Sequence, residues 1–141
     1  MIGDGAEFVA SDNSQWDLIA VDGFDRHARA GALATQPFYA ACRARLAEDG
    51  VLAVNLFGQL RGFKTQLKRI GNAFDGRVLA LPESDSGNVV ALAARGEAMT
   101  LSTTALRERA MQLKANTGLD LVPTLKRLEK SASFLGDKVT L

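Results

Sequence analysis

Two acidic, glycine-containing turns, each set at the end of an apolar stretch, constrain this chain more than any other feature. Ile2 leads into Gly3-Asp4-Gly5, and Trp16-Asp17-Leu18-Ile19-Ala20-Val21 leads into Asp22-Gly23-Phe24-Asp25. A six-residue apolar run has the length of a strand, and the loop beyond its carboxyl end is where open α/β sheets bind ligands. Further along, apolar runs alternate with helical periodicity, the pattern of βαβ units. The expected class is α/β.

The remaining elements follow from caps and spacing. Residues 6–10 can form a short helix, and Ser11-Asp12-Asn13-Ser14 is a polar turn before the first strand. Thr35 is an N-cap with Pro37 in the first helical turn. Phe38, Ala41, Cys42 and Leu46 then share one helical face, and Asp49-Gly50 stops that helix. Residues 51–57 read as a strand buried on both faces. Phe63, Leu67, Ile70 and Phe74 recur on one face, predicting a helix over 61–74 with Lys64 and Lys68 on its wet side. Residues 77–81 and 88–94 are two strands whose short link, Pro82 to Gly87, makes them antiparallel. Ser102, Thr103 and Thr104 offer N-caps for a helix that turns Leu106, Ala110 and Leu113 inward and ends near Gly118, and a last helix covers 123–131. Neither of these helices carries a chemical motif, so packing against the sheet or a partner is their expected role. The expected division is 1–95 for sheet and helices and 102–141 for the C-terminal helices.

Composition narrows the functional classes. At 141 residues, 47% hydrophobic and 23% charged, the chain fits one compact domain with a real core. A single cysteine, Cys42, excludes a disulfide framework and favours a reduced, cytoplasmic setting. No leader and no membrane-length apolar stretch is seen, so no membrane partner is expected. The charge is uneven: residues 1–60 hold eight acids against four bases, and 61–141 hold eight acids against thirteen bases. An acidic cleft in the first part would attract a cationic amine, while the same charges also suit ordinary solvated surface. The bases are dispersed with few aromatics between them, which speaks against nucleic acid.

Asp4 on a glycine-flanked turn can approach a ligand closely and accept from an adenine amino group; the plainer alternative is a helix N-cap. Asp22 and Asp25 are suited to amine chemistry, because a carboxylate beside a protonated amine can hold it and take its proton. Two carboxylates three residues apart are also common in loops. His27, the lone histidine, lies between Arg26 and Arg29 and is expected to be solvated.

Four stretches, residues 2–9, 16–25, 33–39 and 49–55, follow one another in an order that resembles the spermidine synthase (polyamine aminopropyltransferase) family, over 2–92. The resemblance implies the C-terminal portion of a Rossmann-like sheet of the S-adenosylmethionine-dependent methyltransferase type. It implies Asp25 as the catalytic aspartate, Asp22 as its partner in binding the amine, and Asp4 and Gly5 as contacts to the adenine of decarboxylated S-adenosylmethionine. That compound, or S-adenosylmethionine, would be the co-substrate and methylthioadenosine the product. No prosthetic group and no metal is implied. The amine acceptor is a small molecule, and a homodimer is expected.

The departures from the family pattern matter equally. Arg26 stands where the family has proline, Ser84 where it has an amine-seating tyrosine, and Asn55 where many members have glutamine. A cation beside Asp25 would lower its basicity and repel a polyamine. The family's glycine-rich loop and ribose-holding acid have no counterpart in the sequence, which implies a portion of a longer fold holding half of the nucleoside pocket and inactive by itself. The Trp16–Val21 strand would then have an exposed edge in need of cover. The alternatives kept open are a catalytically silent structural or interaction fragment and a methyltransferase-like protein.

Overall fold

The computed structural model describes residues 3–23, 31–58, 62–84, 86–130 and 137–141, and three of its helices begin at a side-chain cap. Asp4 opens α1 (Gly5–Ser11), and β1 (Trp16–Val21) follows. A 3-10 turn (Gly31–Ala34) leads to Thr35, whose hydroxyl accepts from the Phe38 N–H at 3.4 Å and caps α2 (Gln36–Arg45). α3 (Phe63–Ala73) opens instead at Gly62, whose φ of 105° suits a residue without a Cβ. β3 (Leu79–Ala80) and β4 (Asn88–Ala94) complete the first part of the chain.

The largest departure from expectation lies at β2 (Leu46–Phe57), which begins five residues before Val51. Asp49-Gly50 does not stop the helix, because α2 has already ended. Leu46 turns extended there, its N–H returning to the Cys42 and Arg43 carbonyls. Trp16 pairs with Leu46 and Leu18 with Val51, so β2 carries extra residues between those two pairs. Gly50 fits this slip because a Cβ on it would stand 2.8 Å from the Trp16 carbonyl oxygen. The 51–57 segment is also not buried on both faces: Leu52, Val54 and Leu56 are buried, while Val51, Ala53 and Asn55 are half-exposed.

Among the described residues four strands form one sheet in the order β1-β2-β4-β3, with β1 parallel to β2 and both other pairings antiparallel. One face joins Leu52, Val54, Leu56, Ala91 and Ala93 to Phe38, Tyr39 and Cys42 of α2, to Ile70 of α3 and to Phe74 just beyond it. Burying each large side chain contributes roughly 1.5–3 kcal/mol. Arg43 ties the two helices together, donating to the Ala73 carbonyl at 2.9 Å and pairing with Asp75.

The described chain divides into two units, Met1–Glu97 and Ala98–Leu141. In the second, β5 (Thr100–Ser102) precedes α4 (Thr103–Thr117), which Ser102 caps and left-handed Gly118 closes. α5 (Val122–Leu128) and β6 (Lys138–Thr140) follow, and β6 pairs antiparallel with β5. Arg107 Nε and Nη2 donate to the two oxygens of the Glu129 carboxylate, at 2.9 and 2.6 Å, bracing α4 against the end of α5. The expectation of helices alone missed β5 and β6, because three-residue strands carry no readable alternation. No helix among the described residues is long and apolar enough to cross a membrane.

Candidate active site

Asp4 is the N-cap of α1: its Oδ1 accepts from the N–H groups of Ala6 at 2.7 Å and Glu7 at 3.1 Å. Both bonds use one oxygen, so the other remains for a ligand. Gly5 comes next, exposed, and lines a groove of about 390 Å³ whose wall also holds Asp22 and Gly23. The structure thus brings the Asp4-Gly5 turn and the exit of β1 to the two sides of one groove.

Leu33 joins those sides. A Cβ on Gly5 would just touch Leu33 Cδ2 at 3.6 Å, whereas one on Gly23 would overlap Leu33 Cδ1 at 2.4 Å. Gly23 is therefore the position at which a missing side chain lets Leu33 sit. This role was not legible, because nothing in the sequence tells which side chain will approach a turn glycine.

Asp22 leaves β1 exposed, with its Oδ1 accepting from Asn55 Nδ2 at 3.0 Å. The bond follows from register. Val21 pairs with Val54 in the parallel ladder, so the next residue of each strand lies side by side. Sequence reasoning places Asn55 near the amine pocket but misses its bond to Asp22, which only the β1–β2 register reveals.

Farther down the groove, Trp16 Nε1 donates to Asp12 Oδ2 at 2.9 Å, and that bond chiefly holds the Asp12 carboxyl below its usual value. Beneath the sheet, burial pushes the Tyr39 hydroxyl and the Cys42 thiol each up to about 12, so Cys42 is an inert core thiol. Ser84 turns into its own loop: its hydroxyl lies 2.9 Å from Ser86 Oγ and accepts from the Asn88 N–H at 3.2 Å. Asp25, Arg26 and His27 lie outside the described residues. Among the described residues no cluster of three His, Cys, Asp or Glu side chains is placed to hold a metal.

A mixed α/β sheet with helices on it and Asp22 at the carboxyl end of a parallel strand defines a Rossmann-like fold of the methyltransferase type. A solved spermidine synthase, in complex with the transition state analogue AdoDATO, matches it with a TM-score of 0.59 at 30% identity, over 68% of this chain and 36% of that one. No family model matches the chain. The polyamine aminopropyltransferases of Chromobacterium violaceum and of Neisseria meningitidis serogroup A are each 34% identical to it over 128 residues, 91% of this chain. By sequence and fold the chain is similar to polyamine aminopropyltransferases. It spans about half the length of the curated relatives it matches, 49% in both cases.

Proposed function

We propose that the complete protein transfers an aminopropyl group from decarboxylated S-adenosylmethionine to a small amine, and that this chain supplies the carboxylates on both sides of the reaction. One observation carries the reading. In a chain 34% identical to aminopropyltransferases, Asp22 is held by Asn55 on the same groove that Gly5 lines.

In this reading Asp22 holds the cationic amine, and Asp25 takes the proton from the nitrogen that reacts. The freed lone pair attacks the methylene carbon beside the sulfonium. The carbon–sulfur bond breaks, its electron pair stays on sulfur, and methylthioadenosine leaves. Asp4 accepts from the adenine amino group through the oxygen that the cap does not use, and Gly5 lets the ring lie close. A homodimer, a cytoplasmic location and the absence of nucleic-acid partners belong to the same proposal, supported by the resemblance and by the dispersed bases.

A second reading, a catalytically silent module, is favoured by Ser84, whose hydroxyl is engaged by its own loop, away from any amine-seating duty. A chimaera decides between them: this chain replaces the matching half of the Chromobacterium violaceum relative, and turnover is followed with decarboxylated S-adenosylmethionine and several amines. Aminopropyl transfer is expected, with Asp25→Asn lowering kcat by about 10²–10⁴-fold as for a lost general base. Asp22→Asn should chiefly raise the KM for the amine. A folded chimaera that binds methylthioadenosine but transfers nothing supports the silent module, and Asp25→Asn with unchanged turnover removes Asp25 as the base.

A further inference from the structure

We propose that Asp22 is a site of spontaneous covalent modification, at which the Asp22-Gly23 link rearranges to an isoaspartyl link through a cyclic imide. Four aspartates of this chain precede a glycine: Asp4, Asp22, Asp49 and Asp75. Such a pair is the most prone to close, because a following residue without a Cβ leaves its amide nitrogen open to approach. At three of the four the fold withholds something that closure needs. At Asp22, among the described residues, it does not.

The chemistry sets those needs. The Gly23 nitrogen attacks the side-chain carboxyl carbon of Asp22 and a carbon–nitrogen bond forms. The carboxyl hydroxyl leaves as water, taking the proton of the nitrogen. Water then opens the five-membered ring at the original main-chain carbonyl, and the chain now runs through the side-chain carbon. The water lost is regained, and nothing is oxidised or reduced. Closure therefore requires a carboxyl free to swing toward the next nitrogen and a main chain free to turn and meet it.

Asp4 fails both conditions, since its Oδ1 is held by the N–H groups of Ala6 and Glu7, at 2.7 and 3.1 Å, and Gly5 already lies in α1. Asp75 is clamped by Arg43, and the Gly76 N–H is given to the Gly71 carbonyl at 2.7 Å. Asp49 is exposed but stands within β2, and the buried Gly50 is wedged where a Cβ would meet the Trp16 carbonyl at 2.8 Å. Asp22 is exposed and lies one residue beyond β1, past the last pair of the ladder, Val21 with Val54. Among the described residues its carboxylate takes one hydrogen bond, from Asn55 Nδ2 at 3.0 Å, and the Gly23 N–H has no partner. Asn55, half-exposed on β2, is thus the one restraint on closure that they supply.

Conversion lengthens the main chain by one methylene and brings the carboxylate one bond nearer to it, which breaks the contact with Asn55. The modification itself stands apart from the aminopropyl-transfer reading. Only its consequence, loss of the carboxylate that holds the amine, rests on that reading.

The test ages the 141-residue chain in solution and locates isoaspartate by fragmentation mass spectrometry of its proteolytic peptides. Isoaspartate should build up at Asp22 at least about tenfold faster than at Asp4, Asp49 or Asp75, because those three sites must first open locally. Asn55→Ala should speed conversion at Asp22 and leave the other three sites unchanged. In unfolding urea the other three should rise to the rate of Asp22, whose own rate stays nearly constant. Any of three results overturns the proposal: another of the four sites converts as fast as Asp22 in the folded chain, urea speeds Asp22 as much as the rest, or Asn55→Ala leaves the rate at Asp22 unchanged or lower.

Discussion

The β2–β4 centre of the sheet and its β1 margin are built from the same kinds of residue, yet the first is closed and the second open. Leu52, Leu56, Ile70 and Phe74 are fully enclosed by α2, α3 and one another, while Trp16, Leu18 and Phe8 face outward. The centre draws its helices and strands from within 36–94, so its apolar surface is satisfied locally. The margin has a partner on one side alone among the described residues. Apolar content therefore says that a segment wants cover, and only topology says whether the chain itself provides it.

The sharpest way to break this contrast is to cut into each region equally. Phe74→Ala should cost about 3–5 kcal/mol of stability, as for large-to-small changes in cores. Leu18→Ala should stay within about 0.5 kcal/mol, the scale of surface changes. Urea unfolding of both variants checks this, and equal losses would mean that the margin is as closed as the centre.

A smaller effect is expected at the seam between the regions. Gly50→Ala brings a Cβ within 2.8 Å of the Trp16 carbonyl and 3.0 Å of the Ala47 nitrogen, both backbone atoms that cannot swing aside. About 1–3 kcal/mol should be lost, as for overpacking. Hydrogen exchange should show β1 amides loosening first. Smaller still, Asp4→Ala removes the α1 cap for about 0.5–2 kcal/mol, read by the same denaturation.

Acid and alkali probe the contrast most gently. Tyr39 and Cys42 keep their protons in the folded centre until about 12, against ordinary values of 10.0 and 9.0. The folded state binds more protons in that window, so stability should fall as pH rises from about 9, and urea midpoints across the window test it. Asp75 behaves oppositely: the hydrogen bond from Arg43 holds its carboxyl below the ordinary 3.8. Its contribution is complete above that value and fades as pH falls through the lower folded one. Asp75 is exposed, so the loss is small, and Asp75→Asn should flatten it.

Where the sequence was legible, a local cause decided the element. Thr35 and Ser102 cap helices as their side chains suggest, Gly118 closes α4, and β1 has its expected bounds. Where it was not, a distant pairing won. α2 ends at Arg45 because Leu46 is drawn into pairing with Trp16, a contact that no helical signal in 38–50 reveals. At the site, the exit of β1 and its Asp22 were readable from an apolar run ending in an acid. The Asn55 bond and the seat of Leu33 against Gly23 depend on register and approach, which single-sequence periodicity does not encode.

The two hydrogen bonds that Asp4 accepts from the first turn of α1 bear on how a history of use could be read from descendants of this chain. Whatever else happened at the site, descendants would still be held to a capping side chain, Asp, Asn, Ser or Thr, at that place. Asp4 is therefore a poor witness to activity. Asp22, by contrast, accepts its one hydrogen bond among the described residues from a side chain, Asn55, that could itself be exchanged. Drift at Asp22 would cost the fold little, so under the proposed aminopropyl transfer its retention in a descendant would mark work done there.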